Sequence, residues 1–388
     1  MKKPLEGIRV LELGSFVAAP FAGKIFAEFG AEVIKVEDPK KGDPIRNWSV
    51  MHGDTSLWWY VHARNKKSVT IDLRQQEGQE LIRALAAEVD VVLENFRPGT
   101  LEKWGIGYED LRTYNPSLIM ARISGFGQTG PYRDRAGFGS VGEAMGGLRY
   151  LTGDPDRPPS RTGLALGDSI SGLYAVIGTL MALRVRDTHP ERKGQYIDVA
   201  LHESVFSLLE GMVPEYDVKG VIRERTGSAL PGFAPSNIYL CADGKYMVIA
   251  GNGDNIFKRL MNVIGRPDLA EDPRFSTNQG RVEHVEVLDR LIGEWASRHP
   301  IKEVQKKLDE AGVPAGPIYS IEDIVHDEHY QARGMLETVT LPDGKDVLVP
   351  GIVPKLSETP GGIEWVGPKL GQHNEEILGS LLGGKKTV

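Results

Sequence analysis

Residues 8–36 read IRVLELGSFVAAPFAGKIFAEFGAEVIKV. The stretch opens on a short apolar run, Ile8–Leu13, suited to a buried strand. Phe16–Phe29 then carries helical spacing, and Ala31–Val36 is a second apolar run, closed by Glu37, Asp38 and Pro39. Strand, helix and strand in so few residues predict a βαβ unit and a parallel sheet. The rhythm continues downstream. Ser68–Leu73 alternates with period two. Glu77–Val89 is helical, with Leu81, Ile82, Leu85 and Ala86 on one face. Val91–Leu93 and Leu118–Ile123 are further strands. The predicted class is α/β, with helices on both faces of the sheet. A second, mixed α and β unit is expected after Arg225. There Lys245–Ala250 reads as a strand and Ile256–Ile264, Val285–Ala296 and Ile301–Ala311 as helices. Beyond Ser320 the chain is turn-rich, as at 341–344, and Gly383–Val388 reads as a frayed tail.

Composition bounds the function. The 388 residues hold 46 Lys plus Arg and 53 Asp plus Glu, a net charge of −7. That balance disfavours nucleic acid as a partner. One cysteine, Cys241, excludes an internal disulfide framework and a Cys-cluster metal site, and a reducing cytoplasm is expected. No paired-His motif suggests a metal. Pro4 and Glu6 interrupt any signal-peptide core in Met1–Gly7. The most apolar stretch, Ser169–Leu183, falls short of the about 20 residues a bilayer needs, so no membrane partner is expected.

Three places could carry chemistry. The loop after the first strand, from Leu13 to Pro20, lacks the G-x-G-x-x-G spacing of dinucleotide enzymes. Glu37 at the end of the second strand is therefore a weak ribose ligand. Asn95-Phe96-Arg97 follows a strand end, where open α/β sheets bind ligands. An amide, a flat ring and a guanidinium suit a phosphorylated nucleotide, though a plain Pro-Gly turn also accounts for the segment. Basic residues recur nearby (Arg64, Lys66, Lys67, Arg74, Arg97, Lys103, Arg122, Arg133, Arg135), with Arg74 and Arg97 best placed for an anionic ligand. Asp168 precedes the helical run Ile170–Leu183. A capping role accounts for it, and so does an ionised nucleophile, with Gly167 and Gly172 leaving room for substrate. None of the nine histidines lies between Ala63 and Thr188, and no G-x-S-x-G elbow occurs.

Taken in order, these segments resemble class III CoA-transferases, the family of formyl-CoA transferase and the carnitine CoA-transferases. The resemblance rests on PLEGIRVLEL, FGAEVIKVEDPKKGDPIR, RNKKSVTIDLR, VVLENFRPGTLEKWGIGYEDL, NPSLIMARISGFGQTGPYRDRAGF, LALGDSISGLYAVIGTLMAL and RKGQYIDVALHESV, and covers nearly the whole chain. It implies a Rossmann-like large domain over 1–200, completed by 325–388. A linker over 201–225 and a small α+β domain over 226–324 would follow, in an interlocked, ring-threaded homodimer. It implies CoA as substrate and product, with no metal. Asp168 would be the catalytic nucleophile, passing through a mixed anhydride and an aspartyl-CoA thioester. Val17, Ala18, Ile71, Asp72, Leu73, Arg74, Asn95, Phe96, Arg97 and Lys103 would bind CoA. Val17 stands where formyl-CoA transferase has glutamine, and Asp38 where it has arginine. Residues 137–153 look more like members that move CoA between dicarboxylic acids, with succinyl-CoA as donor. Asn237, Tyr239 and 251–253 are candidate acid-selecting positions. The same family holds α-methylacyl-CoA racemases, whose proton-transfer His would fall near Phe138. A CoA-binding protein without turnover is the other alternative.

Overall fold

The computed structural model describes residues 2–379, so the tail 383–388 lies outside the described residues. Six parallel strands form the main sheet: β1 (Arg9–Glu12), β2 (Glu32–Glu37), β3 (Lys66–Thr70), β4 (Val91–Glu94), β5 (Ile119–Ser124) and β6 (Tyr196–Ala200). Their order is β3-β2-β1-β4-β5-β6. This is the order of doubly wound nucleotide-binding folds, with its reversal between β1 and β4. Neighbouring residues alternate between two cores. Val10, Val33, Val91 and Leu93 face one side, with α1 (Ala18–Glu28) and α4 (Leu166–Thr188). Leu11, Ile34, Val69 and Val92 face the other, with α2 (Gln76–Ala86). A sheet buried on both faces explains why its strands read as apolar runs.

Three expectations change. First, β3 ends at Thr70, so Ile71–Arg74 form a loop beyond its carboxyl end rather than strand. Second, the sequence reading passed over β6, whose YIDVA carries an aspartate at its centre. Third, α4 begins at Leu166, so Asp168 lies within its first turn and does not cap it. The N-cap is Ala165, which has no side chain to cap with. Length also changes the membrane argument. At 23 residues α4 is long and apolar enough to cross a bilayer, but half of its apolar window is buried inside the chain. It packs against α1 and β5. Gly172 permits the approach, since a Cβ there would sit 2.9 Å from the Ala18 carbonyl. The room expected at Gly172 is thus taken by helix packing.

The chain divides into two compact units. The first comprises the described residues of 1–149, 162–222 and 332–388; the second comprises 150–161 and 223–331. Residues 201–222 belong to the first unit, and the stretch expected as a linker contains α5 (Leu201–Phe206) and a helix over Met212–Lys219. The C-terminal segment closes the outer edge of β3. Ser68 N–H donates to His373 Nδ1 at 3.0 Å and Thr70 N–H to Asn374 Oδ1 at 2.8 Å, while Ile377 and Leu378 enter the second core. An unpaired edge strand is a template for aggregation, and this segment covers it. The second unit is a three-stranded antiparallel sheet of β7 (Ser236–Leu240), β8 (Tyr246–Ala250) and β9 (Ala315–Pro317), in the order β9-β8-β7. Met247, Ile249, Phe257, Leu288, Ile292, Val304 and Leu308 make its core.

Candidate active site

The loops after β1 and β4 face each other at the sheet reversal, and Asn95 ties them together. Its Oδ1 accepts Ser15 N–H at 2.8 Å and its Nδ2 donates to Ser15 O at 2.8 Å. These two bonds make Asn95 a brace of the loop, and its amide carries a second N–H besides. Gly14 makes the approach possible, because a Cβ there would lie 2.7 Å from Asn95 Oδ1. Phe16 has φ +65°, a rare conformation for a bulky side chain, and its N–H donates to Asp43 Oδ1 at 3.1 Å. Val17 and Ala18 are buried where α1 begins.

Beneath this loop lies a buried charge network. Lys35 Nζ stands 2.7 Å from Asp43 and 3.2 Å from Glu12, and it also donates to the Gly14 carbonyl. Lys66 Nζ meets Glu12 at 2.7 Å and the Pro20 carbonyl at 2.8 Å. Burial pulls the Lys35 pKa down, but Asp43, Glu12 and Glu37 more than reverse it, so the ammonium is held above the ordinary lysine value. For Lys66 burial wins, and its pKa is lowered. Glu37 accepts from Arg46 at 2.7 and 2.8 Å, from Ser68 Oγ at 2.6 Å and from Asp43 N–H at 2.9 Å. It has no capacity left for a ribose. The sequence signal was a charge in the middle of each apolar run, Glu12 in IRVLEL and Lys35 in AEVIKV.

A cleft of about 240 Å³ opens beside the loop. Ile71, Asp72, Leu73, Arg74 and Phe96 line it as expected, joined by Asp38, Lys41 and Trp104. Phe96 and Trp104 meet edge to face at 5.6 Å. Arg74 is largely exposed, with Asp38 3.6 Å away. Arg97 and Lys103 are exposed and outside the cleft lining, without ion pairs among the described residues. Much of the basic cluster is spent internally: Arg64 on Glu28, Lys66 on Glu12, Lys67 on Glu32 and Glu376, Arg122 on Glu94 and Glu102. Glu94 accepts the Phe96 N–H at 2.8 Å. Burial, only partly opposed by Arg122 and that N–H, pushes its pKa up to about 7.

Asp168 lies at the far side of the first loop. It is partly exposed and packs against Gly139, the first residue of α3 (Gly139–Met145). A Cβ at Gly139 would sit 2.0 Å from Asp168 Oδ2, so any larger residue there would have to displace this carboxylate. Gly167 is also used for packing, since a Cβ there would lie 3.1 Å from Gly139 O and 3.2 Å from Glu143 Cγ. Phe138, next to Gly139, meets Phe16 edge to face at 6.1 Å. That contact joins the first loop to the Asp168 neighbourhood. A phenylalanine and a glycine supply no proton-transfer group at the place where a racemase needs one.

In the second unit the candidate selecting residues have internal partners. Tyr239 Oη donates to Asp289 Oδ1 at 2.6 Å and Asn237 Nδ2 to Asp289 Oδ2 at 2.8 Å. Burial, then the Asp289 contact, raises the Tyr239 pKa. A Cβ at Gly251 would meet Leu260 at 2.5 Å. Asn237, Tyr239 and Gly251 are thus engaged within their own unit. Among the described residues no group of three or more His, Cys, Asp and Glu is placed to hold a metal ion.

The chain belongs to CoA-transferase family III, whose model matches residues 5–374. It is 54% identical over 382 residues to the succinyl-CoA–D-citramalate CoA-transferase of Chloroflexus aurantiacus, covering 98% of this chain and 94% of that one. It is 44% identical to the beta subunit of the succinyl-CoA–L-malate CoA-transferase of the same organism, again over 98% and 94% of the two chains. A CAIB/BAIF family protein from Brucella suis shares its structure with a TM-score of 0.86 at 38% identity, covering 98% of this chain and 100% of that one. The resemblance read in the sequence is thereby borne out: the protein is a class III CoA-transferase.

Proposed function

We propose that the protein moves CoA from succinyl-CoA to a small dicarboxylic acid, with Asp168 as the covalent carrier. The observation that carries this reading is the Asp168 carboxylate in the first turn of α4, against a glycine. The positive end of the helix favours the ionised form, the form that attacks. Asp168 attacks the thioester carbonyl, forming a mixed anhydride and releasing CoA thiolate. The thiolate attacks the aspartyl carbonyl, the donor leaves as a carboxylate, and an aspartyl-CoA thioester remains. The acceptor carboxylate attacks that thioester, again giving an anhydride and CoA thiolate. Attack of the thiolate on the acceptor's acyl carbon yields the new acyl-CoA and restores Asp168. Splitting one exchange into four acyl transfers avoids a direct reaction between two poor partners. First-turn N–H groups of α4 are suited to the developing oxyanions. The cleft lined by Ile71–Arg74 and Phe96, with Arg97 and Lys103 at its outside, suits the nucleotide end of CoA. The dicarboxylate assignment is supported by the names of the citramalate and malate relatives.

We further propose that two copies interlock as a homodimer. Leu173, Ile177, Leu180 and Met181 form an exposed apolar stripe on α4 that a second copy would cover. Light scattering of the purified protein should give twice the chain mass; a monomer at micromolar concentration would count against it.

The test of function is exchange between succinyl-CoA and a panel of carboxylic acids, followed by mass spectrometry after hydroxylamine trapping. New acyl-CoA, with label on Asp168, is expected. Asp168→Ala should retain CoA binding and lose exchange by at least about a thousandfold, the scale of a missing nucleophile. Undiminished exchange in that variant would end the proposal, as would deuterium entering the α-carbon of a branched acyl-CoA in place of transfer.

A further inference from the structure

The first turn of α4 is held from outside the helix. Ala165, its N-cap, has no side chain to satisfy the free N–H groups that open every helix. Glu143 supplies the missing acceptor: its Oε1 receives Gly167 N–H at 3.3 Å, across 24 residues of sequence. Its other oxygen, Oε2, lies 3.3 Å from Arg149 Nη2 and 3.4 Å from Nε. Glu143 is only 1% exposed, whereas the Arg149 side chain is 28% exposed. A buried carboxylate is costly unless paired, and here a guanidinium and a helix start pair it.

We propose that Glu143 is the positioning residue for Asp168. Gly139 and Glu143 are four residues apart on α3 and so share one of its faces. Gly139 abuts the Asp168 carboxylate, while Glu143 grips the N–H of the residue before it. One face of α3 thus fixes both the backbone and the side chain of the nucleophile, and Arg149 fixes Glu143. The inference rests on the reading of Asp168 as the covalent carrier. Under that reading one carboxylate takes part in four successive transfers and must return to the same place after each. A displacement of about 1 Å costs roughly a hundredfold in such chemistry. Glu143 touches no reacting atom in this scheme, so its removal acts through Asp168.

The experiment compares wild type with Glu143→Ala, Glu143→Gln and Arg149→Met in steady-state exchange and in single-turnover trapping at Asp168. Glu143→Ala is expected to lower kcat by about 10- to 100-fold, with KM for acyl-CoA within about threefold. Asp168 should still label fully, but slowly. Glu143→Gln keeps an acceptor for the Gly167 N–H and should restore most of the rate. Arg149→Met should lower kcat several-fold by freeing Glu143. A kcat unchanged in Glu143→Ala would overturn the proposal. So would a loss confined to KM, which would make Glu143 a substrate ligand. If Glu143→Ala fails to fold, an unchanged kcat in Arg149→Met overturns it instead. Absence of exchange in the wild type, or exchange surviving Asp168→Ala, would refute the carrier reading itself and is read separately from the clamp.

Discussion

Asn95 and Arg97 stand two residues apart in one motif and have opposite fates. Asn95 faces inward and spends both ends of its amide on Ser15, whereas Arg97 is exposed and without an ion pair among the described residues. The same division separates the base of the crevice from its rim. Glu12, Lys35, Lys66 and Asp43 at the base neutralise one another out of water. Arg74 at the rim has a solvent-screened aspartate 3.6 Å away. Polar residues of one sequence neighbourhood thus divide into those that hold the loop and those left for a ligand, and burial decides which.

Substitutions at the base should cost stability, and those at the rim should cost ligand affinity. Lys35→Ala strands the Asp43 carboxylate without its ammonium and leaves Glu12 with Lys66 alone, and a broken buried pair costs about 3–5 kcal/mol. Urea unfolding should show a loss of that size; wild-type stability would break the division. Asn95→Ala orphans a backbone donor and acceptor on Ser15, for about 2–3 kcal/mol in the same assay. A variant that unfolds like wild type but binds CoA weakly would move Asn95 to the ligand side.

Glu94 sharpens the comparison through pH. Its folded pKa of about 7 is above the ordinary glutamate value of 4.5, so between the two the folded state holds a proton that the unfolded state has lost. Stability from this group is therefore complete below about pH 4.5 and falls as pH rises towards 7. Glu94→Gln lacks this titration. Relative to wild type it should gain on the order of 2 kcal/mol between pH 4.5 and 7 in paired unfolding curves. A parallel pH dependence would refute the shift. At the rim, Arg97→Ala should leave stability within about 0.5 kcal/mol, as is usual for exposed sites. It should weaken CoA about tenfold in calorimetry, the scale of one charge-assisted contact. Unchanged affinity would remove Arg97 from the CoA site.

The two-faced sheet was legible because its strands are short apolar runs between helical spacings, as in Ile8–Val36 and Val91–Leu93. β6 was not, because an edge strand with Asp198 at its centre loses that signal. Asp168 was legible through its motif, but its place inside the first turn was not, since Leu166 and Gly167 look like the tail of a loop. The cleft-lining segment Ile71–Arg74 was found, although as strand rather than loop. Asn95, Tyr239 and Asn237 were singled out as ligand groups and are partners of Ser15 and Asp289. Side-chain amides and hydroxyls serve scaffold and ligand alike, and only the fold shows which groups face them. The Glu143–Gly167 contact spans two helices, and no local pattern announces it.

The cover over β3 has a consequence for synthesis. Ser68 and Thr70 receive their edge partners His373 and Asn374 from 305 and 304 residues downstream. At about 5–20 residues per second, the ribosome delivers those partners roughly 15 to 60 seconds after the strand has emerged. Throughout that interval all of 223–331 is made while the nascent sheet still has an open side. A chain stopped short of His373 would keep that side open for good.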